Sequence, residues 1–333
     1  MPNDRISLAS RNYDGVNAIL RGLIKIPGVD LQVMEMVSVA DMFTRMFKGQ
    51  FDVSEMSFAE LVYYTSREKS DFIGIPVFPS RVFRHSFMFC RSSSDIRGPA
   101  DLNGKKLGFL RWVQTAATWM RGMLVDEYGI SPKSTHWYVA SMHHWDDGHA
   151  NEEITPRDGS VIHWIEAKGS NVSERSYQAL AEGEIDALGV TENQLALLQG
   201  DKRIKRVFEN HQEEEASYFK KTRIMPIMHI LAMRKSVVKQ HPDLPEKLFR
   251  LFCQSKRLAQ EWIRTIPSLT IAWRNEYLEK EREIFQEDPW AYGLEKNRHL
   301  IEKFLSYCHA QGISDQKISP EDLFEPSTWS LTE

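Results

Sequence analysis

Three basic side chains interrupt an apolar stretch of the chain between Ile75 and Phe89. Arg81, Arg84 and His85 stand there among Pro, Val, Phe and Met residues, so we expect them to lie near buried surface. A buried guanidinium is costly unless it meets an anion, and its planar fork matches a carboxylate. The stretch therefore predicts a carboxylate-binding clamp. An internal ion pair with one of the 46 acidic residues is the alternative, and the sequence leaves both interpretations open.

A second candidate anion site lies at the start of a predicted helix. Gln114 and Thr115 come shortly after a predicted strand that ends near Leu110. The first N–H groups of a helix and the positive end of its dipole favour anions, and these two side chains would add donors. Every strand-helix unit has such a helix start, so the pattern does not by itself distinguish a binding site from an ordinary turn.

A third candidate is His229, the lone titratable group in the apolar segment Ile224–Met233. Its neutral and charged forms are both accessible near neutral pH, which suits proton transfer. A hydrogen-bonded core histidine is the ordinary alternative. Ser54 and Glu55 stand at the expected carboxyl end of a strand, just before a predicted helix start at Ser57, and complete the set of cleft candidates.

One polar segment resembles a metal site in composition. It contains His143, His144, Asp146, Asp147 and His149. Because it lacks the separated, strand-anchored ligands of closed metal sites, we interpret it as a solvated loop. We predict no metal site and no cofactor, with a divalent metal left open. The sequence contains no P-loop, GxGxxG, GxSxG or HExxH motif, so nucleotide hydrolysis and the common hydrolase mechanisms have no support.

The apolar patterning predicts alternating strands and helices that could position these residues. Helical periodicity is clearest where Val113, Ala116, Ala117, Met120 and Leu124 share one face. Capping boxes are predicted at Ser38 with Asp41 and at Ser57 with Glu60. The predicted strands are Ile6–Ala9, Leu31–Met36, Phe51–Met56, Trp137–Ala140, Val161–Ile165, Ile185–Val190 and Ile224–Met233. The predicted helices are Val16–Ile24, Ala40–Phe47, Val113–Tyr128, Glu174–Ala181, Pro245–Thr265, Ile271–Glu287 and Glu295–Gln311.

This order predicts an α/β protein of two doubly wound lobes joined by a hinge, with a helical C-terminus packed mainly on the first lobe. We place residues 1–92 and 212–333 in lobe 1 and residues 93–211 in lobe 2. In such sheets ligands bind beyond the carboxyl ends of the strands, here in the crevice between lobes. Met46–Ser54 and Leu180–Leu188 both run from a helix end through Gly and Asp into a strand. They are either an internal repeat or two ordinary turns.

Composition narrows the partners and the compartment. The formal charge of −4 argues against a nucleic-acid partner, and no apolar run is long enough to cross a membrane. The start of the chain lacks the apolar core of a signal peptide, and Cys90, Cys253 and Cys308 are odd in number and far apart. We therefore expect a cytoplasmic protein that binds a small molecule. A homo-oligomer stays open.

Several of these stretches together resemble the 4,5-dihydroxyphthalate decarboxylase family. The resemblance runs from about residue 5 to residue 325, and the most specific motif is Pro79–Ser86. The matching segments are Phe51–Ser57, Ile75–Ser86, Gln114–Gly122 with Asp126–Gly129, Gly183–Ala187, Pro226–His229 and Tyr292–Arg298.

The resemblance implies the fold of type II periplasmic binding proteins and release of CO2 from a hydroxylated aromatic dicarboxylate. A ring hydroxyl para to the departing carboxylate supplies electron density, and an acid protonates the ring carbon. With that chemistry, Arg81 and Arg84, with Arg121 as a third candidate, would bind the carboxylates. His85 or His229 would protonate the ring, and Glu55 would contact a ring hydroxyl.

The sequence departs from the family pattern at Met142–Glu153 and at Ile271–Trp273, where Leu-Pro-Trp is usual. Another aromatic or heteroaromatic acid is therefore open as the substrate. A non-catalytic substrate-binding protein of an ABC transport system would share the fold. So would a relative of the thiamin-pyrimidine synthases, although the iron-binding cysteine cluster of those enzymes is absent from this sequence.

Overall fold

The computed structural model describes residues 5–141, 154–166, 171–265 and 271–333. Its strands agree closely with the sequence pattern, and most predicted strand ends are within about two residues of the observed ones. In chain order they are β1 (Arg5–Ser10), β2 (Asp30–Glu35), β3 (Val53–Ser57), β4 (Phe72–Arg81), β5 (Met88–Arg91), β6 (Lys106–Arg111), β7 (His136–Ser141), β8 (Val161–Trp164), β9 (Ala187–Gly189), β10 (Ile204–Arg206) and β11 (Ile227–Arg234).

The helices include every long one that the sequence predicts. The predicted helix Val16–Ile24 is much shorter than expected, because its α-helical part is the single turn Asn17–Leu20. The helices are α1 (Asn17–Leu20), α2 (Val39–Phe47), α3 (Phe58–Ser66), α4 (Thr115–Tyr128), α5 (Val172–Glu182), α6 (Glu192–Leu198), α7 (His211–Thr222), α8 (Lys235–Gln240), α9 (Leu244–Thr265), α10 (Arg274–Phe285) and α11 (Leu294–Ala310). None of the described helices is both long enough and apolar enough to span a bilayer.

The chain divides into two compact units. Unit 1 comprises residues 1–81, 227–302 and 319–333, and unit 2 comprises residues 82–226 and 303–318. The predicted lobes had their boundaries near residues 92 and 212 and kept the whole C-terminal part in lobe 1. The observed division moves both boundaries and assigns the end of α11 and the following turn to unit 2.

The sheet of unit 1 has the strand order β2-β1-β3-β11-β4. Strand β1 is parallel to β2 and β3, whereas β11 is antiparallel to both of its neighbours, β3 and β4. Every residue of β3 is buried, as expected for a strand covered on both faces. Because β1 and β3 are parallel neighbours, their carboxyl ends lie side by side.

The sheet of unit 2 has the order β10-β5-β9-β6-β7-β8. The run β7-β6-β9-β5-β10 repeats the order of unit 1 strand for strand, with β8 added at the edge. Among the described strands, β11 in unit 1 and β5 in unit 2 are the ones that run against their neighbours. Each is the first strand after the chain passes into that unit, so the two units share one topology.

The repeated Gly-and-Asp segment has the same local role in both units. Gly49 and Gly183 follow α2 and α5 with φ of 73° and 85°, a conformation that glycine adopts without strain. Asp52 then accepts the backbone N–H of Ser7 on β1, and Asp186 accepts the backbone N–H of Lys106 on β6, each at 2.9 Å. These shared contacts favour the internal repeat over two unrelated turns.

Of the two predicted helix caps, the one at Ser38 is present and the one at Ser57 is not. Ser38 caps α2, because its hydroxyl accepts the backbone N–H of Asp41 at 3.2 Å. The capping box predicted at Ser57 and Glu60 is wrong, since Ser57 makes no side-chain cap bond. Ser57 is instead the last residue of β3, opposite His229, and both Ser57 and Glu60 are buried.

Candidate active site

His229 lies on β11 and has neighbours from three other parts of unit 1. Its Nδ1 is 3.1 Å from Glu55 Oε2 and 3.3 Å from the Tyr13 hydroxyl. The ring of Phe43 meets the imidazole edge-on, with centroids 5.2 Å apart. The His229 side chain is 16% exposed. It is therefore neither fully solvated nor sealed, which suits an imidazole that exchanges a proton with a bound molecule.

Glu55 is a fully buried carboxyl group on β3. Its Oε1 accepts a hydrogen bond from Ser10 Oγ at 2.5 Å and one from the Arg11 backbone N–H at 2.7 Å, while Oε2 faces His229. The strand order explains these contacts, because the chain leaving β1 passes beside the carboxyl end of β3. The sheet therefore fixes Glu55 in position before any ligand binds.

Tyr13 is the third member of this cluster. Burial, and then the nearby charge of Glu55, raise the pKa of Tyr13 above its usual range. The phenol therefore keeps its proton and can donate a hydrogen bond in the cluster. Its acceptor is the Glu55 carboxylate, and the Ser80 hydroxyl can donate to the phenol oxygen. The Tyr13 hydroxyl also lies beside His229 Nδ1, but it cannot donate there when Nδ1 carries a proton toward Glu55.

The hydrogen bonds of His229 leave its Nε2 available for proton transfer. Both polar contacts of His229 use Nδ1, and Nε2 makes no hydrogen bond within the described part of the chain. A carboxylate on Nδ1 fixes the ring orientation and stabilises an imidazolium that carries a proton on Nε2. The cluster of Glu55, His229 and Tyr13 can therefore hold a proton at Nε2 and deliver it to a bound molecule.

Sequence reasoning identified Glu55 and His229 but missed Ser10, Arg11 and Tyr13. A usable signal was present, because these three polar residues end or directly follow the first strand, where ligands of α/β sheets bind. The alternation of apolar residues predicted the strand but not which of its flanking side chains would meet Glu55.

The other polar residues predicted to line the site do not all lie in the same unit. Ser54 belongs to the same strand as Glu55, is fully buried, and donates its hydroxyl to the Glu55 carbonyl oxygen at 2.9 Å. Gln114 and Thr115 are buried at the start of α4 in unit 2, and Gln114 makes no side-chain cap bond. Ser54, Glu55 and His229 are thus brought together in unit 1, whereas Gln114 and Thr115 lie in the other unit.

His85 has a very different environment from His229. It lies in unit 2, is 1% exposed, and contacts the rings of Tyr128, Phe208 and Tyr218 edge-on. Burial, and then the nearby His211, lower the pKa of His85 to about 3. Neither ring nitrogen finds a hydrogen-bond partner among the described residues. A neutral, enclosed imidazole is a poor acid, which argues against the predicted role of His85 as proton donor.

The two arginines of the predicted clamp bind groups of the protein. Arg81 Nη2 donates to the Ala291 carbonyl oxygen at 2.8 Å and to Asn297 Oδ1 at 2.6 Å. Arg84 Nη2 lies 3.3 Å from Glu192 Oε1. Arg81 and Arg84 are both buried, and burial lowers the pKa of Arg81 to about 10. The contact of Arg84 with Glu192 fits the internal ion-pair alternative. The carbonyl and amide oxygens beside Arg81 are uncharged partners within its own unit.

Arg121 likewise has a structural environment in unit 2. Its Nε donates to Gln311 Oε1 and its Nη2 to the Trp112 carbonyl oxygen, both at 2.8 Å. The guanidinium lies over the Trp112 ring at 3.9 Å, and burial lowers the pKa of Arg121 to about 9. Gln311 also accepts the Trp112 indole N–H through its carbonyl oxygen. Arg121 thus helps to hold the segment of residues 303–318 against α4.

The histidine-rich segment and the family departure at Met142–Glu153 lie outside the described residues. Within the described ranges, no three His, Cys, Asp or Glu side chains come together as metal ligands. Cys90, Cys253 and Cys308 are free thiols, and all three are buried.

Comparison with known proteins finds relatives of this chain, one of which aligns with nearly all of it. No family model matches the sequence. A protein named 4,5-dihydroxyphthalate decarboxylase from Comamonas testosteroni is 31% identical over 328 residues, which cover 97% of each chain. A second protein of that name, from Pseudomonas putida, is 26% identical over 216 residues, covering 65% of this chain and 81% of its own.

Solved structures of binding proteins share the fold. The sulfonate-binding protein SsuA of Methylobacillus flagellatus KT superposes with a TM-score of 0.55 at 16% identity, covering 97% of this chain and 92% of its own. The alkanesulfonate-binding protein SsuA of Xanthomonas axonopodis pv. citri gives 0.56 at 11% identity, covering 96% and 97%. The predicted type II periplasmic-binding-protein fold is confirmed. With the full-length identity to the Comamonas protein, the chain belongs to the 4,5-dihydroxyphthalate decarboxylase family of carboxy-lyases.

Proposed function

We propose that this protein decarboxylates a hydroxylated aromatic dicarboxylic acid such as 4,5-dihydroxyphthalate, and that His229 protonates the ring carbon that loses CO2. The observation that carries the proposal is the contact of His229 Nδ1 with the buried Glu55 carboxylate at 3.1 Å. That contact orients the imidazole and stabilises its charged form. The names and sequence identity of the relatives support the same substrate class.

The reaction balances with His229 as the proton donor. The oxygen para to the departing carboxylate pushes an electron pair into the ring, and the ring carbon takes the proton from Nε2. The bond from that carbon to the carboxylate then breaks, its electron pair restores the aromatic ring, and CO2 leaves. One carboxylate and one proton give the ring C–H and CO2. His229 regains its proton from solvent, and 4,5-dihydroxyphthalate becomes 3,4-dihydroxybenzoate.

Glu55 and Tyr13 act through His229 in this proposal. Glu55 is fully buried and bonded to Ser10, Arg11 and His229. We therefore assign it a positioning role, in place of the contact with a ring hydroxyl that the sequence predicts. Tyr13 supports the same arrangement with a hydroxyl that keeps its proton. The negative charge of Glu55 offsets the positive charge that His229 carries before it gives up its proton.

The other residues that the sequence predicts to bind substrate take no part in the proposed proton transfer. Arg81, Arg84 and Arg121 bind protein groups, which supports stability roles for them. Ser54 contributes by holding the backbone at Glu55. Roles for Gln114 and Thr115 in substrate binding stay predictions.

Replacing the two histidines separately tests the proposal. In His229→Gln, kcat for CO2 release from 4,5-dihydroxyphthalate should fall by about 100- to 10,000-fold, the usual contribution of a positioned acid. Glu55→Gln should lower kcat in the same direction, because the amide cannot stabilise an imidazolium. His85→Phe should keep a kcat close to that of the wild type, since His85 lies in an aromatic cluster of unit 2. Normal turnover by His229→Gln, or its loss in His85→Phe alone, would reverse the assignment.

A non-catalytic binding protein is the second candidate, because the sulfonate-binding structures have the same fold at 11–16% identity. In that case the purified protein would bind aromatic acids without releasing CO2. The decarboxylase proposal retains the cytoplasm as the compartment, and the three free, buried thiols are compatible with it.

A further inference from the structure

We propose that Arg11 is a specificity residue whose guanidinium binds the carboxylate that the substrate keeps, so that the enzyme selects aromatic dicarboxylates over monocarboxylates. This inference rests on the proposed function and adds the residue that recognises the second acid group. It arises from the position of Arg11 beside Glu55 and Tyr13, the two residues whose polar groups contact His229 in unit 1.

The backbone of Arg11 is held firmly at the cluster. Arg11 directly follows β1, its N–H donates to Glu55 Oε1 at 2.7 Å, and its carbonyl oxygen accepts the Ser10 hydroxyl at 3.1 Å. The guanidinium carbon lies 5.9 Å from the centre of the Tyr13 ring. Its charge is close enough to lower the pKa of Tyr13 against the larger effect of burial. The guanidinium thus lies near Tyr13, whose hydroxyl contacts the proposed proton donor.

Arg11 differs from the arginines of the predicted clamp in its partners. The side chains of Arg81, Arg84 and Arg121 are buried and bonded to protein oxygens. Arg11 is only partly buried, and across the described ranges its guanidinium forms no ion pair or hydrogen bond. A planar guanidinium with unused donors is well suited to a carboxylate ligand.

The chemistry indicates which carboxylate Arg11 should bind. The departing carboxylate loses its charge as CO2 forms, so an arginine bound to it would stabilise the substrate more than the transition state and slow the reaction. The retained carboxylate keeps its charge throughout, and binding it costs nothing in the chemical step. In an ortho-dicarboxylate the two groups are on neighbouring ring carbons, which suits an anion-binding residue beside the proton donor.

Ligand affinity tests this assignment independently of turnover. The probes are 3,4-dihydroxybenzoate, which keeps one carboxylate, and catechol, which has none, with binding measured by calorimetry. In Arg11→Met, the dissociation constant for 3,4-dihydroxybenzoate should rise by about 10- to 100-fold, as expected for loss of a charge-assisted contact. The dissociation constant for catechol should stay unchanged. Arg11→Lys should lie between the wild type and Arg11→Met for 3,4-dihydroxybenzoate.

A matched control is available at the other end of the same strand. Arg5 on β1 has a side chain that is 75% exposed and lies 3.6 Å from Asp30, so Arg5→Met should leave both affinities unchanged. With 4,5-dihydroxyphthalate, Arg11→Met should raise KM more than it lowers kcat. Unchanged binding of 3,4-dihydroxybenzoate by Arg11→Met, or an equal loss for catechol, would overturn the assignment. If the wild type binds these ligands but releases no CO2, the proposed function fails while the binding data still decide the role of Arg11.

Discussion

At the scale of single residues, two histidines in similar apolar sequence have opposite environments. His229 is partly exposed and its Nδ1 faces the Glu55 carboxylate. His85 is enclosed by aromatic rings, and its pKa falls to about 3. The difference comes from long-range packing, because the residues that surround each histidine are distant in sequence. Apolar context alone therefore indicates burial but not whether a histidine can carry a proton.

The buried His85 should make the protein less stable in mild acid. Below its ordinary pKa of 6.5, the unfolded chain binds a proton at this position, whereas the folded protein does so only near pH 3. The free energy of unfolding should therefore fall as pH falls, by about 1.4 kcal/mol per pH unit within this window. Between about pH 7 and about pH 5, the free energy of unfolding of His85→Phe should fall by about 2 kcal/mol less than that of the wild type.

Urea unfolding of the wild type and His85→Phe at both pH values measures this difference. Parallel pH dependence in the wild type and His85→Phe would show that His85 is not held neutral by burial.

At the scale of elements, local sequence signals predicted the secondary structure well. Strand and helix periods gave nearly all the elements, and the Ser38 cap was found from its spacing. The failed capping box at Ser57 shows the limit, because sheet pairing with β11 determines the position of that residue. The antiparallel direction of β5 and β11 could not be predicted either, since strand direction depends on which distant strands become neighbours.

The packing of α4 against the segment of residues 303–318 depends on a glycine. A Cβ at Gly122 would lie 2.3 Å from the Tyr307 ring, whose hydroxyl is bonded to Asp126. Gly122→Ala gains about 1 kcal/mol of helix propensity but meets a ring that cannot easily move. The clash should prevail, with a net loss of about 1–2 kcal/mol in the free energy of unfolding.

Chemical unfolding of Gly122→Ala at neutral pH measures this loss. Gly98→Ala is the control, because nothing lies within 4 Å of its added Cβ and its φ of −171° suits any residue. A Gly122→Ala protein as stable as the wild type would mean that Tyr307 does not pack against α4 in this way.

At the scale of the whole molecule, the sequence predicted the two-lobe fold, but it did not predict how the chain divides between the units. The unit boundaries at residues 81/82 and 226/227 fall in segments without a Gly- or Ser-rich linker, so composition did not mark them. The return of residues 303–318 to unit 2 depends on long-range contacts. One example is the hydrogen bond between Arg121 and Gln311, two residues that are 190 positions apart in sequence. Periodicity carries no information about such contacts.

The most direct test of the central claim is decarboxylation of 4,5-dihydroxyphthalate in D2O by the wild type and by His229→Gln, with substrate binding followed by thermal shift. We expect the wild type to release many equivalents of CO2 per protein and to give 3,4-dihydroxybenzoate deuterated at the ring carbon that lost its carboxylate. His229→Gln should bind the substrate but release CO2 at least about 100-fold more slowly. A wild-type protein that is stabilised by the substrate yet releases no CO2, or a His229→Gln protein that turns over normally, would contradict the account.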